Sequence, residues 1–139
     1  MEKHGINPDA IFAIHLLSTL KTGIWGISDG PMMAAAQGFN ITIEGKGGHG
    51  SRPDQSINPI DAFAAIYNYL ENFRLAKINP FETLTYSVGL IEAGNVPNVI
   101  PQTLTFGGSA RFFNREEVGL PFHNMFKDKV VQLATAYDC

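Results

Sequence analysis

Residues 82–92 read Glu82-Thr-Leu-Thr-Tyr-Ser-Val-Gly-Leu-Ile-Glu92. Leu84, Tyr86, Val88 and Leu90 fall on one side of an extended chain, and Thr83, Thr85 and Ser87 on the other. That period of two belongs to a strand with one face covered and one open. Residues 102–113 repeat it, with Leu104, Phe106, Ala110 and Phe112 on one face. So do Phe39, Ile41 and Ile43, which alternate with Asn40, Thr42 and Glu44. Three half-covered strands need one apolar layer laid against them, and two helical patterns supply it.

The first helix is predicted from Asn58, which can cap it, with Pro59 at the first helical position and Asp61 in the first turn. Ile60, Phe63, Ile66, Tyr67, Tyr69, Leu70 and Phe73 cover about half its circumference, wider than the ~100° stripe of a surface helix. Either the helix is deeply buried, or one flank covers the sheet and the other meets a partner subunit. A second helix is predicted from near Pro121, where Phe122, Met125, Phe126, Val130, Leu133 and Tyr137 recur at helical spacing. The order strand, helix, strand, strand, helix makes an α+β two-layer sandwich, an antiparallel sheet with two helices on one face. It is a ferredoxin-like β-α-β-β-α-β unit lacking its last strand.

Upstream the pattern differs. Ile11-Phe-Ala-Ile-His-Leu-Leu17 is an almost unbroken apolar run, expected to be a strand buried on both faces, as in a parallel sheet. It could also pair with the open edge of the sandwich, since an exposed edge recruits an available strand. Ser28-Asp29-Gly30-Pro31 is turn chemistry, and a boundary is expected between Pro31 and Gly38, dividing residues 1–35 from 36–139. Cys139 follows a helical pattern directly and Ile11 already reads as buried strand, so both ends are expected to be cut from something longer.

Composition narrows the function. The chain has 139 residues, 45% hydrophobic and 17% charged, which suits one domain with a real core and not a disordered chain. A net charge of -3 gives no electrostatic grip on nucleic acid. No apolar run approaches the roughly 20 residues of a membrane span, and the N-terminus lacks the apolar centre of a signal peptide. With one cysteine, Cys139, the expectation is a soluble chain in a reducing, cytoplasmic compartment.

The most unusual stretch is Lys46-Gly-Gly-His-Gly-Ser-Arg-Pro53. Three readings compete. A phosphate cradle would need Lys followed by Ser or Thr in the full Walker pattern, which is absent. A glycine-rich turn could carry an incidental histidine. Or a flexible rim presents His49 to a substrate as a hydrogen-bond donor for developing oxyanion charge. The connection Gly94-Asn-Val-Pro-Asn-Val-Ile-Pro101 is long enough for a functional loop. His15 lies in an apolar run with no second ligand at a recognisable spacing, so a core histidine and a metal ligand both remain open. His4 and His123 have no supporting context, and a terminal cysteine gives no nucleophile.

Taken together, Gly45-Lys-Gly-Gly-His-Gly-Ser-Arg-Pro-Asp54, Asn58-Pro-Ile-Asp-Ala62, Val88-Gly-Leu-Ile-Glu-Ala-Gly94, Pro97-Asn-Val-Ile-Pro101 and Gly108-Ser-Ala-Arg111 resemble a known family. It is the lid or dimerisation domain of the dinuclear zinc amidohydrolases and peptidases: aminoacylases, carboxypeptidase relatives and amino-acid-conjugate hydrolases. Asp9-Ala-Ile-Phe-Ala-Ile-His15, Gly23 and Met33-Ala-Ala35 are most similar to the conjugate-hydrolase branch.

The resemblance implies roles. His49 matches the lid histidine that polarises the scissile carbonyl, and Asn98 an asparagine lining the same pocket. Arg111 matches an arginine contacting substrate carboxylate or the interface. His15 matches a metal ligand of the catalytic domain, which would make residues 1–35 a remnant of that domain. The implied cofactor is zinc or another divalent metal in the intact enzyme, with none expected in this chain alone. The implied partners are a second copy, through the 58–74 helix and the edge strand beside it, and the enzyme's own catalytic domain. The competing class is a stand-alone α+β module for oligomerisation or small-ligand binding, because such sandwiches host many functions.

Overall fold

The computed structural model describes residue 5 and residues 7–139, and among these the first strand begins at Ala35. Three long strands, β1 (Ala35–Glu44), β3 (Leu84–Ala93) and β5 (Thr103–Phe112), alternate with two short ones, β2 (Gly48–His49) and β4 (Val99–Ile100). Helix α1 (Pro59–Lys77) lies between β2 and β3, and α2 (Leu120–Ala136) follows β5. The long strands form one antiparallel sheet in the order β1-β5-β3. Both helices supply core residues to one face, so the fold is the α+β sandwich expected.

Local chemistry explains the boundaries. The Asn58 side chain accepts from the Ile60 amide at 3.2 Å, satisfying one of the orphan donors of α1. Pro59 and Asp61 occupy the first turn, and Arg74 and Lys77 the last, complementing the dipole at both ends. Before α2 the chain makes a π-helical turn, Arg115–Gly119, which the helical periodicity did not foretell. Asn114 caps it by accepting from the amides of Glu116 and Glu117.

The core is the interleaving of the two layers. Ile43, Leu84, Leu104, Phe106, Ala110 and Phe112 come from the sheet, Ala62, Ile66, Leu70 and Phe73 from α1, and Phe122, Phe126 and Val130 from α2. Phe106, fully buried on the central strand, has its ring centroid 5.0 Å from Phe63 and 6.3 Å from Phe39. Phe122 sits between Phe73 and Phe126, at 5.5 Å from each. Leu90 departs from the expected inward face. A bulge between Val88 and Leu90 shifts the phase of β3, leaving Leu90 and Ile91 exposed.

The wide apolar arc of α1 is likewise split. Ala62, Ile66, Leu70 and Phe73 are buried, whereas Ile60 and Tyr67 on the neighbouring flank remain about 40% exposed.

The chain divides into two compact units, one ending at Met32 and one from Met33 to Cys139. In the first unit the expected buried strand at 11–17 is not formed: these residues have no strand geometry and are all exposed, Phe12 at 94%. An apolar run becomes a strand only when another strand takes up its amides and carbonyls, and no such ladder exists here. Among the described residues, the sheet of the second unit consists of β1, β5 and β3. Among the described residues no helix is long and apolar enough to cross a membrane.

Candidate functional site

The sheet itself assembles the site. Glu44 ends β1 opposite Thr103, where β5 begins, so the chain leaving one strand runs beside the chain entering the other. Beyond the sheet the two segments continue to pair. Gly45 N–H donates to the Gln102 carbonyl at 2.9 Å. The Gln102 side chain then closes a clasp, its Nε2 donating to the Gly45 carbonyl at 2.7 Å and its Oε1 accepting from Gly47 N–H at 3.0 Å. Next, β2 and β4 zip together with Gly48 opposite Ile100 and His49 opposite Val99. Gly50 N–H donates to the Asn98 carbonyl at 2.8 Å, completing the rim.

A second set of bonds ties the rim to α1. Lys46 and Ile57 exchange both backbone hydrogen bonds, at 2.8 and 2.9 Å. A Cβ on Gly45 would collide with the Ile57 carbonyl and the Pro59 ring, which explains glycine at that position. Gly50 is in a similar position against the Asn98 carbonyl, 3.0 Å from where a Cβ would stand. None of glycines 45, 47, 48 and 50 has positive φ, so their use here is close approach between segments and not left-handed turns.

Arg52 and Asp54 cross the outer turn, with the guanidinium donating to both carboxylate oxygens at 2.9 and 2.8 Å. Arg52 holds the Asp54 carboxyl below the ordinary carboxylate range, while its own guanidinium is pushed up by the same bond. The lowered carboxyl means the pair is complete above the usual carboxylate pKa and is lost only as pH falls through the lower folded value. Both groups are exposed, so its contribution is small near neutrality.

The Asn98 backbone therefore lies beside Gly50, the residue after His49. His49 is exposed, and its Nδ1 lies 2.8 Å from Ser51 Oγ and accepts from Ser51 N–H at 3.2 Å. Among the described residues no hydrogen bond involves its Nε2.

Arg111 is not part of this group. It is exposed on β5 opposite Ala36 and Thr85, eight residues beyond Thr103, roughly 26 Å away at the usual strand rise.

His15 belongs to the first unit, where it is exposed and its Nδ1–H donates to the Leu16 carbonyl at 2.8 Å. His123 accepts from Gln37 Nε2 at 2.7 Å on the surface of the sandwich, and His4 lies outside the described residues. Cys139 is half-buried and burial pushes its thiol up, away from the reactive thiolate. Gln102 and Ser51 escaped sequence reasoning: the partners of Gln102 lie 55 and 57 residues away, and a serine two residues past a histidine has no periodic signature.

The sequence profile of the peptidase dimerisation domain matches residues 35–134. An N-acyl-L-amino acid amidohydrolase of Geobacillus stearothermophilus is 40% identical over 106 residues, which are 76% of this chain and 29% of that protein. An N-acetylcysteine deacetylase of Bacillus subtilis is 36% identical over 107 residues, 77% of this chain and 28% of that one. Among solved structures, a dinuclear metal-binding peptidase of Bacillus subtilis superposes with a TM-score of 0.59 at 27% identity, over 81% of this chain and 25% of that one. The chain thus spans little more than a quarter of the length of the relatives it matches.

Proposed function

Because the chain belongs to the peptidase dimerisation-domain family, we propose that it is the lid and dimerisation domain of a zinc-dependent amidohydrolase acting on N-acyl amino acids or related amides. The observation that supports this reading is the braced rim at the end of the sheet, which exposes His49 and pairs the next residue, Gly50, with the Asn98 carbonyl. Attack on an amide carbonyl moves negative charge onto its oxygen, and an imidazole N–H held on a braced rim stabilises that charge without reorganising. Asn98 lines the same pocket in this scheme. Arg111, roughly 26 Å away toward the other end of β5, cannot reach a small substrate held at its own subunit's His49, so in this scheme it contacts either a substrate carboxylate at the partner's site or the subunit interface.

The described residues do not by themselves assemble a metal centre, since no three His, Cys, Asp or Glu side chains gather there. His15 fits as one ligand: with Nδ1–H donated to the Leu16 carbonyl, Nε2 keeps its lone pair, the tautomer that a metal takes. In our reading residues 1–35 belong to the catalytic domain, which contributes the remaining ligands and the general base. The metal supplies Lewis-acid activation there.

Two features favour a homodimer. Ile60, Ala64, Tyr67 and Glu71 recur along the exposed flank of α1 at helical spacing, and among the described residues no strand pairs with the outer side of β3. A shallow groove between them is lined by Glu71, Arg74, Leu84, Thr85 and Tyr86.

Division of labour between domains predicts that the purified chain, supplied with zinc or cobalt, releases no amino acid from N-acetyl or N-benzoyl amino acids. Metal-dependent turnover by this chain alone would overturn the proposal.

A further inference from the structure

The hydrogen bonds at His49 determine which end of its ring carries the proton. A backbone N–H can only donate, so the Nδ1 atom that receives Ser51 N–H at 3.2 Å must present its lone pair. The Ser51 hydroxyl, 2.8 Å from the same nitrogen, is then also a donor. In the neutral ring the single proton must therefore sit on Nε2, the nitrogen facing away from Ser51. A proton on Nδ1 would forfeit the bond from the Ser51 amide and force the Ser51 hydroxyl to turn from donor to acceptor. The turn that brings Ser51 back is itself closed, by Arg52 N–H donating to the His49 carbonyl at 2.8 Å. Ser56, the other nearby hydroxyl, points to the carbonyls of Arg52 and Pro53 and does not compete for the ring.

We propose that Ser51 is a positioning residue that locks His49 in the Nε2–H tautomer, so that the rim offers a carbonyl oxygen a hydrogen-bond donor and not an acceptor. This rests on the reading of His49 as the donor to the substrate oxygen, but the tautomer can be measured without catalysis. The logic is that of a second residue fixing a histidine's tautomer by occupying its other nitrogen.

The test is a long-range 1H–15N correlation spectrum of the histidine-labelled chain, at a pH where the imidazole is neutral. His49 is assigned by its loss in H49A. The expected result is the Nε2–H pattern in the wild type, a larger share of the Nδ1–H form in S51A, and restoration in S51T, with amide spectra confirming that each variant is folded. A wild-type His49 in the Nδ1–H form, or a tautomer ratio unchanged by S51A, would overturn the proposal.

In the intact enzyme S51A should lower kcat by about two- to tenfold, the worth of one hydrogen bond, with KM little changed. The same substitution should have no further effect in an H49A background. An equal loss in both backgrounds would mean that Ser51 acts elsewhere. If H49A itself leaves kcat intact while the tautomer responds to Ser51, the catalytic reading of His49 fails and the positioning inference stands.

Discussion

On the proposed function, replacing His49 by alanine in the intact enzyme is expected to lower kcat by about 100- to 1000-fold, with KM for the N-acyl amino acid little changed. The size follows from the kind of interaction lost. A donor aimed at an oxygen gains most when that oxygen becomes an oxyanion, so its removal raises the barrier far more than it weakens substrate binding. The substitution leaves the fold alone, because the His49 side chain is exposed and its backbone pairing with Val99 does not depend on the side chain. Circular dichroism and Tm of H49A should therefore match the wild type. Replacement by glutamine, which keeps an N–H donor, should recover part of the loss. A kcat within a factor of about three of wild type in H49A would remove His49 from the chemistry, since one preorganised donor is worth far more than that.

Phe106→Ala produces the largest expected loss of stability. The ring is fully buried on the central strand and packs against Phe63 on α1 and Phe39 on β1, so it joins both layers and the neighbouring strand. Removing it forfeits its transfer free energy and leaves a cavity that three elements would have to collapse into, about 3–5 kcal/mol. That is a large share of the 5–15 kcal/mol typical of a whole domain. For a domain of this size Tm should fall by at least about 12 °C. Phe81, 96% exposed, is the matched control, and its replacement should change stability by no more than about 0.5 kcal/mol. Thermal unfolding followed by circular dichroism reads both, and a Tm for F106A within a few degrees of wild type would show that the core is not organised around this ring.

Much of the sandwich was legible because its signals are local. The Asn58-Pro59 start of α1 and the alternation in β1, β3 and β5 need only neighbouring residues, and the structure reproduces them. The failures are where a partner decides. Ile11–Leu17 has strand composition, but among the described residues no strand takes up its hydrogen bonds, and composition cannot report that. The β2–β4 pair has two residues on each side, too short for any period, and joins segments some fifty residues apart. The bulge at Gly89 turns Leu90 outward in a stretch whose alternation looks unbroken. At the site, spacing alone left His49 between an incidental histidine and a functional one. The family resemblance implied a link to Asn98, and the structure has the Asn98 carbonyl accepting from Gly50, the residue after His49. Gln102 and Ser51, which hold the rim and the ring, became visible only with coordinates.

The dimerisation reading has one direct measurement. Sedimentation velocity of the 139-residue chain at high micromolar concentration should give a species of twice the chain mass. Tyr67→Glu, on the exposed flank of α1, should return it to the monomer without loss of helical signal, because a charge placed on a self-complementary surface meets its own copy across the two-fold axis. A chain that stays monomeric up to that concentration, or a dimer indifferent to Tyr67→Glu, would contradict association through this face.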